Sequence, residues 1–330
     1  MSASNPAAAQ DAMVPPVRPG LSRPMVAAIV FAAFTTGQIL IWLACQLSAR
    51  GAFRLSLWVS RRFEPLTRRR RQRNLNLFFR SSAKTAADLA AIDKAHLHSL
   101  ARMRAEVARC FAKTPYDFKT NVHFEGEENL RAVLARGRGA LVVSGHTATW
   151  WFIVGGLVAR GYPVTAIFTP IKFKNVERKL LQLTDRFGAR VAFVGRDALR
   201  AMRRAAECNE IIYLTFDVTV QSKRAAPIPF GGGALEIDSG PAILAVRNAM
   251  PVLQAAASHG PDGRNLVTFY PPEPDELAPE TSSPDALCRR WMHRLEGEIQ
   301  ARPAEWWPWG YVDLLEPSPA AKVENAARQS

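Results

Sequence analysis

The stretch GALVVSGHTATWWF, residues 139–152, decides how the chain is read. Ala140, Leu141, Val142 and Val143 form an apolar run that reads as a buried strand. Ser144-Gly145 breaks it, His146 stands at the turn, and residues 147–160 are predicted as a helix. A strand that hands a histidine to the start of a helix is one way α/β enzymes present a base. The positive end of the helix dipole would keep the imidazole neutral and basic there. On this stretch alone, a histidine satisfied at a helix cap is the simpler reading.

Working outward, the same alternation continues on both sides. Residues 86–111 read as a helix, with Leu89, Ile92, Leu97 and Leu100 spaced for one buried face. A short strand over 116–126 and a helix over 127–136 follow, the latter stopped by Gly137-Arg138-Gly139. After the central stretch come strands at 164–168 and 190–194, and helices at 175–187 and 197–208. The run IIYLTF, 211–216, is the clearest buried strand, and Asp217 follows it directly. Ligand groups of open α/β sheets gather at such strand ends, so His146 and Asp217 are expected to share one cleft. Gly231-Gly232-Gly233 is a turn: either a plain hairpin or a loop whose backbone N–H groups face an anion. A short helix runs from Ser239-Gly240-Pro241 to Arg247. Strands are predicted at 250–257 and 265–270, and a last helix at 284–300. Trp306, Trp307 and Trp309 then crowd together, either at lipid headgroup depth or packed over the sheet. The fold class is α/β: a mixed sheet flanked by helices.

The formal charge is +14, from 43 Lys+Arg against 29 Asp+Glu, which calls for an anionic partner. The placement of the charge chooses among partners. Residues 25–47 are uncharged, and 23 residues at ~1.5 Å each can cross a ~30 Å hydrocarbon layer. Immediately after them, residues 50–80 hold ten arginines and one acid, Glu64. Phe53, Leu55, Trp58, Val59 and Phe63 are interleaved, a composition suited to anionic lipid headgroups. This order predicts an N-terminal membrane helix at 25–47 with the body on the cytoplasmic side. A nucleic-acid arm is disfavoured, since no helix-turn-helix, RRM or finger pattern accompanies the arginines. The chain divides into a tail at 1–24, the membrane helix at 25–47, a basic helical neck at 48–115, an α/β domain at 116–315 and a tail at 316–330. The four cysteines (45, 110, 208, 288) are scattered without metal spacing, which suits a reducing compartment. There is no Walker loop, no GxGxxG after a strand and no GxSxG elbow.

Six stretches together resemble a known family. They are RRRRQRNLNLFF (68–79), FEGEENLRAVLARGRGALVVSGHTATWW (124–151), TPIKFKNVERKLLQLTDRFGAR (169–190), LTFDVTV (214–220), PIPFGGGALEIDSGPAILAVRNAMPVL (227–253) and PAEWWPWGY (303–311). Their order resembles the lysophospholipid acyltransferase superfamily, and within it the bacterial lipid A acyltransferases of the lauroyl/myristoyl type, over residues 50–312. The resemblance implies a membrane-bound acyltransferase at the cytoplasmic face of the bacterial inner membrane. It needs no cofactor or metal: the donor substrate is a thioester of acyl carrier protein or coenzyme A. The acceptor is a hydroxyl (or amine) of a lipid A precursor or related glycolipid. The implied partners are inner-membrane lipids, the carrier protein and the amphiphilic acceptor, and not nucleic acid. His146 takes the place of the family's general base. Lys172, Lys174 and Arg186 become candidate phosphate contacts, and Trp150 and Trp151 candidate walls of an acyl tunnel.

One departure matters. The family carries an acid five residues after the histidine, to orient the ring and steady its charge. Here that position is Trp151, whose indole only donates. Three readings follow: another carboxylate serves His146, with Asp217 best placed and Glu236 or Asp238 behind it; the protein is a slow or specialised acyltransferase; or it is a catalytically inactive relative that still binds lipid. Smaller departures are Thr169-Pro170 in place of Arg-Pro, Asp217-Val218 in place of Asp-Gln and Pro229-Phe230-Gly231 in place of Phe-Phe-Gly.

Overall fold

The computed structural model describes residues 43–114, 116–170, 174–219, 222, 224–260, 262–273 and 283–316. The uncharged stretch 25–47 lies almost wholly outside the described residues, as do both tails. Among the described residues, no helix is long and apolar enough to cross a membrane.

Two long helices open the structure, α1 (Ala49–Phe78) and α2 (Ala86–Arg109). The second starts at a reciprocal cap. Thr85 accepts from the Asp88 amide, and the Asp88 carboxylate accepts from the Thr85 amide. A one-turn helix, α3 (Phe118–Asn121), then precedes β1 (Val122–Glu125). The strand is therefore shorter than the predicted 116–126. Asp117 Oδ1 accepts from the amides of Lys119 and Thr120 at 3.0 and 3.2 Å, which bends the chain into that turn.

Alternation follows as α4 (Glu127–Leu134), β2 (Ala140–Ser144), α5 (Trp151–Ala159), β3 (Val164–Phe168), α6 (Lys174–Phe187), β4 (Arg190–Phe193), α7 (Arg196–Cys208) and β5 (Ile211–Thr215). A hairpin of β6 (Ala225–Phe230) and β7 (Gly233–Asp238) leads to α8 (Gly240–Arg247), β8 (Val252–His259), β9 (Asn265–Phe269) and α9 (Pro284–Ala301). Two 3-10 turns, Pro303–Glu305 and Trp307–Gly310, close the described chain.

Seven strands form one mixed sheet in the order β1-β9-β8-β2-β5-β3-β4. The strands from β8 to β4 run parallel, whereas β9 is antiparallel to β8. In β2, Leu141 and Val143 face one core and Ala140 and Val142 the other. Burial on both faces explains the unbroken apolar run. Each valine or leucine so buried stabilises the fold by ~1.5–3 kcal/mol.

The triple glycine is a plain hairpin turn between β6 and β7, and the Gly232 amide donates to Phe78 O at 2.8 Å rather than facing a ligand. Trp306 and Trp309 are fully buried in the core, whereas Trp307 is half-buried. The last turns of α1 belong to that same core. Asn74 Nδ2 donates to Trp309 O and Val312 O at 2.9 and 2.8 Å, while Asn74 Oδ1 accepts from the Leu314 amide. Arg71, 1% exposed, is satisfied by Asp93, Glu64 and Thr67.

Candidate active site

The register of the sheet explains why His146 and Asp217 meet. Strands β2 and β5 are parallel neighbours, with Ser144 opposite Thr215. His146 and Asp217 each stand two residues beyond that last pair, on adjacent strand ends ~4.8 Å apart. Asp217 Oδ1 lies 2.5 Å from His146 Nδ1. Asp217 Oδ2 accepts from the His146 amide at 2.9 Å and from the Trp306 indole N–H at 2.8 Å. Gly145 lets Leu295 of α9 pack against this turn, because a Cβ there would lie 2.5 Å from Leu295 Cδ1.

Asp217 is completely buried. Burial pushes its pKa up, but the His146 ring, the two hydrogen bonds from His146 and the one from Trp306 outweigh burial and hold it below its ordinary value. The carboxylate is therefore the charged partner that fixes the ring. With Nδ1 donating to it, the lone pair sits on Nε2. Nε2 lies 3.3 Å from Thr215 Oγ1, and the His146 side chain keeps 15% exposure. Trp150 meets the ring edge-on at 4.8 Å, and Trp307 tilts over it at 5.6 Å.

The predicted helix start at 147 moves to Trp151. His146, Thr147 and Ala148 are claimed instead by the C-terminal segment. Thr147 bridges Trp306, Ala148 N–H donates to Glu305 O at 2.8 Å, and Trp307 N–H donates to His146 O at 2.9 Å. His146 thus stands five residues before the helix, and its direct electrostatic partner is a carboxylate rather than a helix dipole.

Of the other predicted residues, Trp150 joins the His146 cluster. Trp151 lies one ring further out, against Trp150 and Phe168. Lys174 pairs with Glu177 at 2.9 Å on exposed α6. Arg186 donates to Cys110 O at 3.2 Å and lies over the Phe111 ring. Lys172 lies outside the described residues. Glu236 is exposed, and Asp238 pairs with Arg224 and accepts from the Gly240 amide, so neither serves His146. Of the three carboxylates considered, Asp217 is the one that meets the imidazole. Sequence reasoning missed Thr215 and Trp306 as site residues. The signal for Thr215 was its place two residues before Asp217, matching Ser144 before His146.

The sequence as a whole places the chain among the acyltransferases. The chain belongs to the bacterial lipid A biosynthesis acyltransferase family, whose model matches residues 22–309. Among curated proteins none matches the chain.

Proposed function

We propose that the protein moves a fatty acyl group from the thioester of acyl carrier protein or coenzyme A to a hydroxyl (or amine) of a lipid A precursor or related glycolipid. The observation that carries this reading is His146 Nδ1 held 2.5 Å from buried Asp217, which leaves Nε2 beside a hydroxyl. The acceptor hydroxyl takes the position near Nε2 that Thr215 Oγ1 now approaches. Nε2 removes its proton, and the oxygen attacks the thioester carbonyl. The tetrahedral oxyanion collapses, the C–S bond breaks, and the imidazolium returns its proton to the departing sulfur. Asp217 stabilises the imidazolium in between without taking the proton itself.

The acyl chain is accommodated in an apolar groove of about 510 Å³ between α1 and α2, lined among others by Val59, Phe63, Leu66, Leu97 and Leu100. Tyr311 forms one end of that groove and stacks on Trp307, which lies against His146. Trp150 and Trp151 wall the site on the opposite side. Lys174, exposed on α6 where it pairs with Glu177, offers charge for an acceptor phosphate, and Lys172 is the second candidate from the sequence.

The work is done at the cytoplasmic face of the bacterial inner membrane. Trp58, Phe63 and Leu66 are exposed on α1 at 59%, 47% and 67%, among the exposed arginines 54, 61, 62, 68 and 69. That pairing of apolar and cationic side chains favours an anionic lipid surface. It also favours encounter with an acidic carrier protein.

The test is acyl transfer by purified, detergent-solubilised protein, offered labelled acyl carrier protein and a panel of amphiphilic acceptors. Transfer by the wild type, lost in His146→Ala and Asp217→Asn, is the expected result. Transfer that survives His146→Ala would remove the general-base role.

A further inference from the structure

A second histidine sits behind the catalytic turn and is held more fully than the first. His259, at the end of β8, is 8% exposed in its side chain and engages a carboxylate at each ring nitrogen. Its Nδ1 lies 3.2 Å from Glu305 Oε1, which also accepts from the His259 amide at 3.2 Å. Its Nε2 lies 3.6 Å from Glu106 Oε2 and 3.4 Å from Thr149 Oγ1.

Both glutamates reach the turn that carries His146, Glu106 through its carboxylate and Glu305 through its backbone carbonyl. Thr149 Oγ1 donates to Glu106 Oε2, and the Glu305 carbonyl accepts the Ala148 N–H at 2.8 Å. Ala148 has φ 42, a left-handed conformation that a residue with a Cβ keeps only when its surroundings impose it. One imidazole therefore ties together the residues two and three positions after His146.

The charge balance supports a cation there. Glu106 and Glu305 approach from α2 and from the 3-10 turn. Arg102, also on α2, pairs with Glu106 at 3.0 Å. Asn265 donates to Glu106 at 3.1 Å and to the Tyr116 hydroxyl at 3.4 Å. On α9, burial and then the nearby Glu305 push the Glu298 carboxyl up, against the pull of Arg302. Burial works against charge on Glu106 as well, yet His259, Arg102 and Thr149 bring its pKa down to about 2. Burial likewise opposes the charged ring, but the two carboxylates raise the His259 pKa above its ordinary value.

We propose that His259 is a positioning residue, an imidazolium that bridges Glu106 and Glu305 and so locks the turn bearing His146. The proposal rests on His146 as the general base. The sign of its pH dependence follows from that charge. Acyl transfer falls at higher pH as His259, whose charge is held to a raised value, sheds its proton and releases the turn.

The experiment has two arms. In the transfer assay, His259→Gln is expected to lower kcat by about tenfold or more with KM little changed, since a misplaced catalytic turn costs on the order of 10–100-fold. It is also expected to remove the alkaline fall in the rate. Glu305→Gln keeps the side-chain shape and should move that fall to lower pH. In the second arm, amide hydrogen exchange is read at Ala148 and Trp307, with the amides of β5 as the internal control. Both turn amides should exchange faster in His259→Gln while β5 stays protected. An unchanged alkaline limb in both variants, or unchanged exchange at Ala148, would overturn the proposal. Faster exchange across β5 as well would mean that His259→Gln loosens the whole fold, and Glu305→Gln then decides. A wild type that transfers nothing would refute the acyl-transfer reading alone, because the exchange arm needs no turnover.

Discussion

The two histidine–carboxylate sites differ in how many ring nitrogens they commit. At His146 one nitrogen is fixed by Asp217 at 2.5 Å while the other faces a neighbouring hydroxyl at 3.3 Å in a partly open position. At His259 both nitrogens are taken by carboxylates and the ring is closed off. A base must keep a lone pair free for a proton, whereas a tether gains from occupying both. The same side chain thus suits two tasks, and the environment of its second nitrogen separates them.

The largest expected effect tests the first site. Asp217→Asn should lower turnover by up to ~10⁴, the scale of the equivalent change in a Ser-His-Asp triad, against the far smaller loss expected for His259→Gln. Steady-state acyl transfer measures both, and similar losses at the two positions would erase the distinction between base and tether.

A third histidine sharpens the comparison by its opposite sign. His96 is 1% exposed and donates from Nδ1 to Ala304 O at 3.0 Å, and burial pulls its pKa from 6.5 to about 4. The unfolded chain takes up this proton near pH 6.5, but the native chain refuses it until about pH 4. Stability should therefore drop by about 3 kcal/mol across that window as the pH falls. Asp217 adds a further loss at lower pH, because its stabilisation is present above the ordinary carboxylate value and disappears as the pH falls through its depressed native one. Denaturant unfolding at stepped pH should show the His96 loss in the wild type and a flatter curve in His96→Gln. His259 should behave in the reverse way, losing stabilisation as the pH rises.

A smaller change is expected at Trp306. Trp306→Phe keeps one aromatic ring but removes the N–H that reaches Asp217 Oδ2, a bond to a charged group worth about 1.5–3 kcal/mol, and loses the packing of the second ring. Thermal and denaturant melts would measure the loss, and an unaltered midpoint would mean that the indole N–H contributes nothing to stability. The smallest effect is a null one. Trp151→Asp restores the acid that the family carries at that spacing, but Asp217 already fills the role, so no gain in transfer is expected. A clear gain would make Asp217 a poor substitute.

Much of this was legible from local chemistry. Apolar runs ending at Gly145 and Asp217 marked the strands, and the positions just beyond them marked the site. What the residues do not state is that β2 and β5 are neighbours, since 71 positions separate His146 from Asp217 and pairing is settled by the whole sheet. The helix start shows the same limit on a smaller scale. Thr147 and Ala148 read as helical until Trp306 and Glu305, more than 150 residues away, take their backbone groups. Long-range competition also hid His259, whose two carboxylates come from α2 and from the 3-10 turn.

The stitch made by Asn74 bears on how the enzyme can be shortened. A chain cut just before residue 116 would keep every strand of the sheet and both residues of the His146–Asp217 pair. It would also strip Leu75, Leu77 and Phe78 from the core, and leave the carbonyls of Trp309 and Val312 without their donor. Those residues flank the tryptophans beside the site; His96, which holds Ala304 of that segment, and Glu106, which holds Thr149 of the His146 turn, would be gone too. The smallest piece able to keep its catalytic geometry therefore includes the arginine-rich helix, and solubility gained by removing that helix would come with a site that no longer closes.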